Sequence, residues 1–135
     1  MVKSIRTFLL AVVLLAYASA AVQRTSSPPI MPDPTKTPGD VLEVTKADIC
    51  VPGYTKKVRD VPESVKRQVY ASYGITSHQP HEYEVDHLIS LELGGSNSIK
   101  NLWPQSYVTT PYNAHVKDVL ENKIHKLVCD GAIDL

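Results

Sequence analysis

The chain has little cysteine, no excess of charge and only one long apolar run. Each scarcity narrows what it can be. Cys50 and Cys129 are the only cysteines, so at most one intramolecular disulfide is available. Basic and acidic residues balance at 14 each, which argues against a strongly basic surface that grips nucleic acid without regard to sequence. The one apolar run, from Phe8 to Ala16, is too short to span a bilayer comfortably. It follows Lys3 and Arg6 and precedes Ala18-Ser19-Ala20, a small-x-small cleavage pattern. Residues 1–20 are therefore expected to be a signal peptide, with the mature chain starting at Ala21 and destined for secretion or the periplasm. No cysteine follows the cleavage site to carry a lipid anchor. Cleavage leaves 12 basic and 14 acidic residues.

What is present begins with a tether. Residues 21–40 hold Pro28, Pro29, Pro32, Pro34 and Pro38 among Ser and Thr and show no apolar periodicity, so a disordered linker is expected there. One folded domain is expected over 41–135. Both cysteines lie in it, and an oxidising compartment favours a Cys50–Cys129 bridge. On the chain-entropy model such a loop contributes about 4 kcal/mol.

Within the domain, Val41–Val44 suits a short strand. Asp60 and Glu63 have capping-box spacing, and a helix from about Val61 to Tyr73 puts Val65, Val69 and Tyr73 on one stripe, ended by Gly74. Period two then takes over: Tyr83, Val85 and His87 face one way, Glu84 and Asp86 the other. Gly94-Gly95-Ser96-Asn97 is turn chemistry, and Asn101 to Trp103 can return as a second arm. Trp103 is expected in the core. A final helix is expected from Thr110 as N-cap, with Val116, Leu120, Ile124 and Leu127 as its apolar face and Gly131 beyond its end. The fold class is α+β.

The stretch from Tyr83 to Gln105 carries the chemistry. Phosphodiester hydrolysis needs a base for water, a divalent cation and stabilisation of the leaving oxygen. Asp86 is a hard oxygen donor for such a cation, and neutral His87 is a general base near pH 7. Adjacent strand residues point to opposite faces, so the two share a site only if the strand ends or bends there. Glu84, on Asp86's side, can hold the ion directly or through water. An imidazole base must also be aimed, and Asn101 is the candidate for organising the loop around it.

Asp86-His87, the spacing to Asn101, and Asn101-Leu102-Trp103-Pro104 resemble the HNH (ββα-metal, or His-Me finger) endonucleases. The Glu84–His87 segment also resembles secreted nonspecific nucleases of that superfamily. The likeness covers roughly residues 83–121. It implies a ββα-metal core, here with an additional N-terminal helix and one disulfide. It also implies that His87 activates water, Asp86 binds the ion, Asn101 holds the loop and His87, and a residue early in the last helix completes the ligand set. Asn113 and His115 both suit that last role. At about 100° per residue Asn113 lies with Leu120 and Ile124 and His115 on the far side, which favours Asn113. Lys117 is inward enough to meet a phosphate or to pair with Glu121. The chain lacks the CxxC pairs with which many members bind structural zinc, and the disulfide stands in for that staple.

The expected function is an exported endonuclease dependent on one divalent ion, Mg²⁺ or else Mn²⁺, acting on nucleic acid, DNA before RNA. Two alternatives remain open. One is a non-catalytic secreted module on a degenerate scaffold. The other is a zinc protein using His78, His81 and His87.

Overall fold

The computed structural model describes residues 30–135, so the expected signal peptide and the first part of the Pro-rich stretch lie outside the described residues. Three short helices, α1 (Lys46–Ile49), α2 (Tyr54–Val58) and α3 (Glu63–Ser72), precede a hairpin of β1 (Tyr83–His87) and β2 (Leu102–Ser106). The long helix α4 (Ala114–Cys129) follows. The result is a small α+β fold. Strands β1 and β2 are antiparallel, with Glu84 opposite Gln105, Asp86 opposite Trp103 and His87 opposite Leu102. The core collects Ile49, Val69, Leu91, Leu102, Trp103, Ala114 and Val128. Cys50 and Cys129 are joined, tying the end of α1 to the end of α4. No helix among the described residues is long and apolar enough to cross a membrane.

The Pro-rich stretch is packed from residue 30 onward, contrary to the expected tether. Thr37 is 1% exposed. Its hydroxyl donates to Leu102 O at 2.9 Å, so the Tyr73 hydroxyl donates to Thr37 Oγ1 at 2.7 Å. Gly39 N donates to Lys100 O and Ser96 N to Asp40 O. Proline and polar side chains make a stiff strap whose backbone groups find partners on the folded body. Low hydropathy alone could not reveal that.

Local signals also moved. Val41 makes only an isolated bridge to Gly95, so no strand forms at 41–44. Helix α3 starts with Pro62 at its N-cap position and no side-chain cap. The carboxylate that reaches back is Asp48, which accepts from Thr45 N at 2.7 Å. Asn113, not Thr110, caps α4. The first half of the expected apolar face of α4 is turned outward, with Val116 53% and Leu120 55% exposed, while Ile124 and Leu127 are half-buried. The inward stripe is instead Ala114, Lys117, Glu121, His125 and Val128, which lie within about 80° of one another at about 100° per residue. Polar residues took the inner face because they meet charged partners on β1 and on the loop after it.

Candidate active site

The loop between the strands is built around Asn101, which is fully buried. Its Oδ1 accepts from Ile89 N at 2.9 Å, and its Nδ2 donates to Ile89 O at 3.0 Å and Ser96 O at 2.9 Å. Its own carbonyl accepts from Leu88 N at 2.7 Å. One side chain thus pins both ends of the loop. Gly95 lets the chain pass close: a Cβ there would lie 1.8 Å from Ile89 O and 2.9 Å from Asn101 Nδ2. Gly94, at φ 84°, ends a 3-10 turn at Leu91–Leu93 in the left-handed region that glycine adopts freely.

His87 ends β1 and is 2% exposed. Its Nε2 lies 3.1 Å from Asn97 Oδ1, and Asn97 Nδ2 donates to Val58 O at 2.7 Å. The second bond sets which way the amide points, so Asn97 presents its oxygen and His87 Nε2 carries the proton. Nδ1 is left with the free lone pair. Burial holds the imidazole below its ordinary pKa, against the bond to Asn97, and the Arg59 charge adds to the depression. The ring is neutral and in one tautomer near pH 7. The side chain that aims it is Asn97, which the sequence analysis passed over. Its only local signal was an amide two residues past the Gly-Gly pair.

The backbone side of His87 faces something different. Asp86 Oδ1 accepts from His87 N at 2.7 Å, while Asp86 Oδ2 lies 2.7 Å from Lys117 Nζ. That ammonium also donates to His87 O at 2.7 Å and to Glu121 Oε1. Three oxygens from two elements thus surround one cation. The Asp86 contact is ionic, because Oδ2 is buried and outside hydrogen-bond alignment. Burial alone would depress the lysine, but Asp86 and Glu121 outweigh it and hold Lys117 above its usual value. Glu121 is itself held up, first by burial and also by Asp86 and Glu92. Several carboxylates share one ammonium, so neutralisation is incomplete. Glu84 is raised by burial against the Tyr107 hydroxyl, which donates to it at 2.6 Å.

The sequence-derived residues fall into two sets. Asp86, His87 and Lys117 converge, and Asn101 supports the loop that follows. Asn113 is occupied as a cap: its Oδ1 accepts from Val116 N and its Nδ2 donates to Thr109 O at 2.8 Å. In this arrangement its amide serves the helix start. His115 is exposed and stacks on Tyr107, ring centroids 5.3 Å apart. Glu84 is turned to Tyr107. His78 packs against Tyr70, ring centroids 4.5 Å apart, and His78, His81 and His87 do not gather into a metal-binding group among the described residues. Beside Glu84 lies a cleft of about 400 Å³ lined in part by Arg59, Lys66 and His81 and by the rings of Tyr70 and Tyr107.

Comparisons with protein-family models, with curated proteins and with solved structures find no match to this chain.

Proposed function

We propose that the protein is an exported, divalent-metal-dependent endonuclease of the HNH type, hydrolysing phosphodiester bonds with DNA preferred to RNA. The observation that carries this reading is the junction at His87. Its imidazole is neutral and held in one tautomer, while its backbone carbonyl belongs to a cluster of hard oxygens already gathered round a cation.

The donor set fits a divalent ion. Asp86, Glu121 and the His87 carbonyl are oxygen ligands of the kind Mg²⁺ and Mn²⁺ take, and the buried Asp86 Oδ2 lacks an aligned donor. Lys117 marks the seat with its own charge. These three groups would hold the ion, with Lys117 displaced, and Glu84 and Asn113 stand outside the set. When bound, the ion supplies Lewis-acid stabilisation of the phosphoryl and leaving oxygens. His87 Nδ1 accepts the proton of the attacking water, and Asn97 keeps Nε2–H in place as the ring becomes charged. Because His87 is buried, this step requires the packing around its ring to open as substrate and ion enter. Arg59 and Lys66 give the adjoining cleft charge for phosphates, and its tyrosines offer faces for bases.

The second reading is a secreted binding or structural module. The same burial of His87 and the same ammonium among the carboxylates favour it, since they describe a closed seam that already holds a cation of its own. Incubation of the mature protein with plasmid DNA, with Mg²⁺, with Mn²⁺ and with chelator decides between them. Metal-dependent nicking that chelator abolishes is the expected result. Intact plasmid under every condition removes the enzyme reading.

A further inference from the structure

At the far end of α4 from Lys117, the disulfide has a histidine beside it. His125 precedes Cys129 by one helical turn, and its Nε2 lies 3.4 Å from Cys129 Sγ and 3.1 Å from Ile49 O. One ligand atom from each of Cys50, His125 and Cys129 falls within 4.8 Å of the others. Two of these atoms, the sulfurs, are bonded to each other, so both can ligate tetrahedral zinc at about 2.3 Å only after reduction lets them part. The other ring nitrogen, Nδ1, faces Glu92 Oε2 at 3.9 Å. At that distance Glu92 is a charged neighbour of the ring, on the side from which a carboxylate orients a metal-ligating imidazole once it closes to bonding range.

We propose that, once reduced, Cys50, Cys129 and His125 form a zinc site that replaces the disulfide as the staple between α1 and α4. A dithiol reductant passes two electrons and two protons to the bridge and itself closes to a disulfide. Zn²⁺ then displaces the two thiol protons and binds both thiolates and Nε2, with solvent in the fourth position. The imidazole proton moves to Nδ1, the nitrogen on the side of Glu92, and stays on the ring. Oxidation by a disulfide reverses the sequence: the two thiolates surrender two electrons, the oxidant takes two protons, and the ion leaves. The loop from Cys50 to Cys129 is thus closed in both redox states. This site is separate from the Asp86 cluster and does not depend on nuclease activity.

The test uses Co²⁺ as a spectroscopic stand-in for zinc, with a phosphine reductant that becomes its oxide with water's oxygen and does not compete as a thiol. Reduced protein is expected to bind one Co²⁺ with near-ultraviolet thiolate-to-metal charge transfer and tetrahedral visible bands, bleached by Zn²⁺. The disulfide form gives no such charge transfer, which separates this site from any oxygen-ligand site. His125→Ala should weaken Co²⁺ binding at least about tenfold, the lower end of what losing even an outer-shell partner costs. If reduction unfolds the chain, Zn²⁺ should restore its circular dichroism. A reduced, folded protein without charge transfer, or an unfolded one that Zn²⁺ does not rescue, overturns the proposal. So does charge transfer unchanged in both Cys50→Ser and Cys129→Ser.

Discussion

The loop from Leu88 to Asn101 and the seam between β1 and α4 sit on either side of His87 and treat buried polarity in opposite ways. In the loop, Asn101 meets three backbone groups with neutral hydrogen bonds of ordinary length, and Gly95 permits the close approach. Both polar atoms of the Asn101 amide have partners there. In the seam, one lysine serves Asp86, Glu121 and a carbonyl, and the carboxylates outnumber it. Neutral networks closed on themselves specify shape. Charged clusters with an unequal count are where an ion or a substrate phosphate can exchange with a resident group.

The largest expected effect falls at the junction of the two regions. His87→Ala should lower metal-dependent plasmid cleavage by about 10²–10⁴-fold, measured well below the melting midpoint because loss of a buried ring also leaves Asn97 Oδ1 unpaired. A rate within threefold or so of wild type would remove His87 as the base. Next, Lys117→Met leaves two buried carboxylates without their cation and should cost about 3–5 kcal/mol in urea unfolding without divalent ions. Millimolar Mg²⁺ should raise the melting temperature of this variant more than that of wild type. Equal shifts would mean that Lys117 does not occupy the ion's seat. On the loop side, Asn101→Ala strands three buried backbone groups and should cost about 3 kcal/mol, with no recovery on adding Mg²⁺. Recovery would erase the distinction between the two regions.

The smallest effect is in pH. His87 titrates below its unfolded value of about 6.5. Between the two values the unfolded chain binds more protons, so this contribution is complete above about pH 6.5 and drains away as pH falls towards the folded value. Glu84 and Glu121, held above their unfolded values, act the other way and weaken the fold as pH rises through theirs. His87→Gln should flatten the loss of urea midpoint between about pH 7.5 and about pH 5.5. A slope unchanged from wild type would place the titrating group elsewhere.

Much of this architecture was legible locally. Alternation from Tyr83 to His87, the Gly-Gly turn, the returning Asn-Leu-Trp-Pro and the amphipathic C-terminal stretch announce a hairpin followed by a helix, because strand and helix periods are properties of neighbouring residues. Two cysteines in one expected exported domain announce their bridge, which the structure contains. What periodicity misjudged was the rotation of α4. An apolar stripe is ordinarily the buried one, yet Val116 and Leu120 face outward because Lys117 and Glu121 find oppositely charged or hydrogen-bonding partners on the inner side.

The sequence alone therefore determined the order and type of the main elements and brought Asp86, His87 and Asn101 forward by chemistry and spacing. Only the tertiary structure decided which groups touch: Asn97 on the imidazole, Lys117 among the oxygens, Asn113 spent on a cap, and residues 30–40 strapped to the body. The reason is range. Periodicity and turn chemistry act over a few residues. The contacts at His87 join positions ten and thirty residues apart, and the strap joins positions up to sixty-five apart. Such pairings are chosen by desolvation and charge across the whole packed chain.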